Sequence, residues 1–352
     1  MCEGGAIMRF IMLYVLLSVN VFGAFPYMYK DDKGYSVEIP KKPTRIVIGG
    51  GMWPLPPVVI MLEKSAKSIV YMPKSSKNAL KNSFLLDMFS EISRIPSGEN
   101  ENIEDLLSLK PDLFVCHSAN IKLCQAMKQS KIPTIELSVN KWGYNSFETI
   151  KGWITVLAPI LDVEIKAKRF LDFTQSIQDE MMKKVRAKSN NDKPKALVIH
   201  YFESDKAIWV GGIFADYLLQ TSGGQNVIAS QNIVKITLED IYKLDPDIIY
   251  INNFNTLMPQ DILKSPLWKP IKAIQNKRVY KFPLGSYRPF APSVDLPILL
   301  QWLYMCNNPS EMDFDTLLHS TEVFYSTYFD LHLSKKQIMS IFSPTREAGE
   351  IR

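Results

Sequence analysis

The sequence predicts an α/β fold: two Rossmann-like lobes with mostly parallel sheets, joined by one long α-helix. Three observations carry this prediction. Short apolar runs alternate with amphipathic helical segments both before and after the middle of the chain, the grammar of βα units and parallel pairing. Between the two series, the stretch from Asp162 to Lys188 places Val163, Ala167, Phe170, Leu171, Ile177, Met181 and Val185 at helical spacing, with charged residues in the gaps. Finally, NIEDLLSLKPDLFVCHSAN, from Asn102 to Asn120, aligns without gaps on TLEDIYKLDPDIIYINNFN, from Thr237 to Asn255, one copy on each side of that helix.

In chain order, residues 1–24 come first. Arg9 precedes an apolar run from Phe10 to Leu17, followed by small and polar residues to Gly23 and Ala24, which resembles a secretory signal peptide cleaved near Ala24. The run is too short to span a bilayer. No cysteine follows it where a lipoprotein signal needs one, so the expected product is free in the periplasm and not a lipoprotein. Cys116, Cys124 and Cys306 then remain. Export permits disulfides, and Cys116 could pair with Cys124 if a loop folds back, but free buried thiols are the expectation.

The first lobe spans 44–145. Arg45 to Ile48, Ser68 to Met72, Leu113 to Cys116 and Thr134 to Val139 read as strands, with helices near Pro57 to Lys64, Ser83 to Phe89, Ile103 to Leu109 and Ile121 to Ser130. Linker helices occupy 146–189. Pro159 is expected to stop the first of them and Asp162 to N-cap the second, whose last turn carries Lys184, Arg186 and Lys188 where the dipole favours cations. At 1.5 Å per residue that helix would be a strut of about 40 Å. The second lobe, 193–306, repeats the pattern with strands at Ala196 to Tyr201, Ile248 to Asn252 and Arg278 to Phe282, and helices near Phe214 to Ser222, Leu238 to Leu244 and Trp268 to Ile274. A helical tail covers 310–342. Each repeat copy reads as a capped helix, a proline stop and a buried strand, the caps being Asn102 with Asp105 and Thr237 with Asp240.

With 352 residues, 46% hydrophobic and 22% charged, the chain can build two domains with a core. Its net charge of +5 comes from 41 basic and 36 acidic residues scattered along the chain. No basic block is interleaved with aromatics, which argues against nucleic acid. GGGMWPLPP at Gly49 follows a strand but lacks GxGxxG spacing, and the sequence holds neither GxSxG nor a Cys/His zinc pattern. The expectation is therefore not an enzyme, with a hydrolase on the same lobes as the alternative.

In open α/β sheets ligands collect at the carboxyl ends of strands. Those ends carry Trp53, Met72, His117, Trp142, Tyr144, His200, Tyr201, Asn252, Tyr287 and Arg288, the candidate ligand-binding set. His117 and His200 offer one imidazole per lobe, a good ligand for nickel, copper, zinc or iron. Two cannot close a metal's shell, so an exogenous chelator would supply the rest. Arg288 suits carboxylates of an anionic chelate.

At several places the sequence resembles the periplasmic substrate-binding proteins of metal-chelate ABC importers, which deliver ferric siderophores, haem, cobalamin and some nickel complexes. The residues are PTRIV at Pro43, the LKPDL and LDPDI repeats, GGQNV at Gly223, SPLWKPIKAIQNKRVYKFP from Ser265, and FYSTYFDLHLSKKQI from Phe324. The resemblance implies a ligand cleft between the lobes, an iron or nickel chelate as ligand (alternatively cobalamin or haem), and no covalently bound cofactor. It also implies a monomer that docks on an ABC permease dimer with its ATPase. Glu104 and Glu239, first-turn residues with no capping role, match the acidic residue that each lobe of the family offers to permease arginines.

Overall fold

The computed structural model describes residues 25–31, 34–99, 102–189, 192–228 and 230–351; the leader read at residues 1–24 lies outside them. An antiparallel hairpin, β1 (Tyr27–Lys30) with β2 (Ser36–Ile39), comes first. The first lobe is built on β3 (Ile46–Ile48), β4 (Ile69–Pro73), β5 (Ser97–Gly98), β6 (Leu113–His117) and β7 (Thr134–Leu137), all parallel in the order β5-β4-β3-β6-β7. Chain order reverses between β3 and β6, which opens a crevice at their carboxyl ends.

The second lobe holds β8 (Lys195–Ser204), β9 (Ala207–Val210), β10 (Gln225–Asn226), β11 (Val234–Ile236), β12 (Ile248–Ile251) and β13 (Val279–Lys281), ordered β11-β9-β8-β12-β13 with β10 also on β8. Here β8, β10, β12 and β13 are parallel, β9 runs antiparallel to β8, and β11 runs antiparallel to β9. The strand expected to end at Tyr201 continues to Ser204 and turns back through Asp205 and Lys206 into β9.

The repeat does the same job in both lobes. Asp112 takes the backbone N–H groups of Thr44 (2.9 Å) and Arg45 (2.8 Å) on its carboxylate, and Asp247 takes that of Lys195 (2.9 Å). Each aspartate thereby pins its strand, β6 or β12, to the first strand of its lobe. Before it, Lys110 and Asp245 stand at the same position of the repeat with φ of 50° and 41°, the left-handed turn that releases the chain from the helix ahead of a proline. The reciprocal capping box forms in the second copy, between Thr237 and Asp240. In the first copy Asn102 Oδ1 accepts from the Glu104 N–H at 2.9 Å.

Two expectations about the linker are corrected. Helix Ser146–Leu161 runs through Pro159, and Asp162 closes it as a left-handed C-cap (φ 56°) whose N–H reaches Ala158 O. Asp162 is no N-cap, because an aspartate tolerates the left-handed region that such a C-cap requires. The next helix, Glu164–Arg186, is about 35 Å long and buries Ala167, Phe170, Thr174, Met181 and Val185. It packs on Ser146–Leu161, Leu296–Asn307 and Phe314–Phe329, so it is one member of a helical layer, not a free strut. One hydrophobic core runs from Ile46 and Val115 through Trp153, Phe170 and Leu299 to Val198 and Tyr250, and thus joins the two sheets. A second core covers the other face of the second sheet, around Ile199, Ile249 and Trp268.

The thiol expectation is also overturned. Cys116 is the last residue but one of β6 and Cys124 lies on the following helix Ile121–Gln129, which brings their Cα atoms to 6.1 Å, and the two form a disulfide. Cys306 is free and buried. Among the described residues no helix is long and apolar enough to cross a membrane.

Candidate functional site

Between the lobes lies a cavity of about 790 Å³, a common size for a small-molecule site. The first lobe contributes Gly51, Trp53, Pro54 and Val139; the second contributes His200, Tyr201, Ile213, Phe214, Asn252, Phe254, Asn255 and Phe290. Glycine is required where the wall bends most sharply. Gly50 has φ of 60°, and a Cβ there would stand 2.8 Å from that of Cys116. This close approach of the loop to β6 presents Trp53, 41% exposed, to the cleft.

His200 sits at a β-bulge. Ile199 pairs with Val210 and Tyr201 with Trp209, which leaves His200 unpaired between them. A bulge re-aims its side chain, and here the buried ring meets the edge of Phe290, with centroids 4.8 Å apart. Its Nε2 bonds Gly211 O, and a carbonyl can only accept, so Nε2 carries the proton. Nδ1 is then the acceptor for Asn252 Nδ2 at 3.1 Å. That bond also orients the amide, whose Oδ1 is buried without a hydrogen-bond partner on the cleft side of β12. Burial lowers the imidazole pKa to about 4, against a smaller opposing effect from Gly211. The ring is neutral, and both its nitrogens are engaged.

The loop after β12 is fixed from below. Lys281 Nζ donates to Asn252 O (3.0 Å), Asn255 O (2.7 Å) and Leu257 O (2.8 Å). Asn255 Nδ2 in turn donates to His200 O at 2.7 Å. Burial first, then the charges of Arg288 and Arg346, push the Lys281 pKa down to about 7, with Asp261 opposing.

The expected site residues separate into two groups. Trp53, His200, Tyr201 and Asn252 line the cavity. Met72 is fully buried in the core, because β4 carries its side chain inward beside β5. Trp142 lies over Gly152, where a Cβ would come within 2.2 Å of the indole, and lines a separate cavity near Tyr29 and Glu136. Tyr144 packs edge-on to Phe214 at 5.5 Å.

His117 is half-buried and is not part of the cleft wall. Its Nδ1 stands 2.9 Å from the Ala119 N–H and its Nε2 3.2 Å from that of Val139, of which the neutral ring can accept only one, so both nitrogens are turned to the backbone; burial lowers its pKa. The two histidines expected to ligate a metal therefore present no free nitrogen to the cleft in this arrangement. Among the described residues no group of three or more His, Cys, Asp or Glu side chains is placed to hold a metal ion.

Tyr287 and Arg288 are both fully buried behind the wall. Arg288 donates from Nε and a terminal nitrogen to Ala348 O (3.2 and 2.8 Å), to Glu350 O (2.8 Å) and to Ser75 Oγ (2.9 Å). The chain's last described residues, Gly349, Glu350 and Ile351, thereby form part of the wall. Sequence reasoning missed these three, which carry no apolar period, and also Phe214, Phe254 and Phe290. RPFAPS, from Arg288, follows a strand end and was the one available signal.

A family model described as a periplasmic binding protein matches residues 58–284. The Fe(3+)-citrate-binding protein of Bacillus subtilis is 27% identical over 182 residues, a match covering 51% of this chain and 56% of that protein. The chain thus spans little more than half the length of that relative. A periplasmic solute binding protein from Veillonella parvula has a similar structure, with a TM-score of 0.79 and 26% identity over 90% of this chain and 97% of the other. The Helicobacter pylori CeuE protein in its Ni-His complex matches in fold with a TM-score of 0.69 and 20% identity, over 90% and 99% of the two chains.

Proposed function

Since the chain belongs to the periplasmic binding protein family, we propose that it captures an iron or nickel chelate in the inter-lobe cleft and delivers it to an ABC permease. The observation that carries the ligand class is the cleft's composition. Its wall is dominated by Trp53, Tyr201, Phe214, Phe254 and Phe290, its histidine is neutral and engaged, and no metal-holding cluster stands among the described residues. Such a surface suits the outside of a complete chelate and not a bare ion. The relatives named for iron citrate and for a nickel–histidine complex support the same class.

Purification from the periplasm under native conditions, followed by elemental analysis and mass spectrometry, tests this. A co-purifying iron or nickel complex at near one per chain is expected, whereas an apo protein that binds no chelate would overturn the reading. Docking is assigned to Glu104 and Glu239. Both are exposed on the first turns of equivalent helices, and neither enters an ion pair among the described residues. Reversal of both charges should abolish uptake in cells while ligand affinity in solution stays unchanged. Normal transport by the double variant would remove the assignment.

A further inference from the structure

We propose that Arg288, Tyr287 and Ser75 form a subsite for an oxyanion of the ligand, a carboxylate or a tetrahedral oxyanion, which the chain's own segment Pro344–Ile351 holds shut. The inference rests on the cleft being the ligand site. Arg288 is completely buried, yet among the described residues no carboxylate lies within ion-pair distance of it. Its partners are one hydroxyl and two backbone carbonyls. A desolvated guanidinium with only neutral acceptors is an environment that an anion completes.

Two independent features point to the same place. Tyr287 Oη is buried with no partner in good hydrogen-bonding geometry, and Ser75, Ser76 and Arg288 are the polar groups close enough to act on it. Helix Lys74–Lys81 begins there as well. Its N-cap is Pro73, which offers no side-chain acceptor, and its own first turn holds no acid. The hydroxyls of Tyr287 and Ser75, the guanidinium and the helix end form a donor set of the kind that binds carboxylates and oxyanions.

The segment that closes the site is anchored outside it. Arg346 forms a two-pronged ion pair with Asp261 (2.8 and 2.7 Å) and donates to Thr256 O at 2.8 Å. Gly349 is seated against Asn255, where a Cβ would fall 1.9 Å from the carbonyl oxygen. These anchors place Ala348 O and Glu350 O on the guanidinium where an anion's oxygens would sit. A charged acceptor bonds a guanidinium about twice as strongly as a neutral carbonyl. An incoming oxyanion therefore competes with the strap, and release of the strap also widens the cleft that Gly349, Glu350 and Ile351 line.

Arg346→Ala and Asp261→Asn each break the strap's outer ion pair in the full-length chain, and neither residue belongs to the subsite or to the cleft wall. Trisodium citrate and sodium molybdate, each without added metal, are titrated by calorimetry against the unaltered protein and both variants. If the strap is closed in about nine molecules in ten, release tightens anion binding about tenfold. Tyr287→Phe with Ser75→Ala, added to Arg346→Ala, should cancel the gain. A gain with citrate alone assigns the subsite to carboxylates, and a gain with molybdate alone assigns it to tetrahedral oxyanions. Folded release variants that gain nothing for either anion overturn the proposal, as does a gain that survives loss of both hydroxyls. Either failure leaves a natively bound chelate and its dependence on Trp53 untouched, so it is distinguishable from failure of the cleft reading itself.

Discussion

His200 shows how one residue's environment decides what a cleft can offer. Its proton is committed to Gly211 and its lone pair to Asn252, so the ring serves as a wall and a brace. The folded ring stays neutral down to about pH 4, whereas an unfolded histidine takes a proton below about pH 6.5. The unfolded state therefore binds more protons in that window, and stability falls as the pH drops through it. Urea unfolding should show the unaltered protein losing about 2 kcal/mol more than His200→Gln between pH 7.5 and 5.0. An equal loss in both would mean that the ring is protonated in the native state. Trp53, exposed at the opposite wall, should behave otherwise. Trp53→Ala is expected to weaken chelate binding at least about tenfold with little change in melting temperature, as at a binding hot spot. His117→Ala should leave affinity unaltered, because that ring is turned to Ala119 and Val139 and not to the cleft.

Among the elements, those with a strong period or a repeated motif were legible in advance. The helices and strands of the two repeat copies appear where the alignment of residues 102–120 on 237–255 places them, because a cap, a proline and an apolar run all demand the same boundaries. Elements set by tertiary pairing were not legible. β9 and β11 are short, and their antiparallel register depends on β8 turning back after Ser204. Asp162 was read as a start because aspartate favours both N-caps and left-handed stops, and only the fold decides between them. The strap over Arg288 gave no sequence signal, since it is made by backbone carbonyls, a glycine contact and an ion pair between residues 85 positions apart. The disulfide is a similar case, for it depends on the helix turning back directly after β6. It closes a short loop, and replacing both Cys116 and Cys124 by serine should cost about 2 to 3 kcal/mol in denaturant unfolding. A cost near zero would show that the helix Ile121–Gln129 is held in place without it.

At the scale of the molecule, the feature that matters is that the two sheets do not hang from a hinge. Helix Glu164–Arg186 is clamped along its length by Ser146–Leu161, Leu296–Asn307 and Phe314–Phe329, and the core it belongs to reaches side chains of both sheets. Within that layer Phe170 packs on Phe329 and Phe173 on Tyr328, with ring centroids 5.8 and 4.3 Å apart. Interiors packed in this way resist continuous deformation. Ligand capture is therefore expected to rearrange loops and the C-terminal strap around a nearly fixed pair of lobes. Small-angle scattering with and without saturating chelate should give almost the same radius of gyration, while amide exchange slows in the loop Asn252–Leu257 and in Pro344–Ile351. Phe170→Ala, which removes a fully buried ring from the shared layer at a cost of about 3 to 5 kcal/mol, should loosen the lobes and make compaction on binding measurable. A large compaction in the unaltered protein would mean that the helical layer yields, and the fixed-lobe picture would fail.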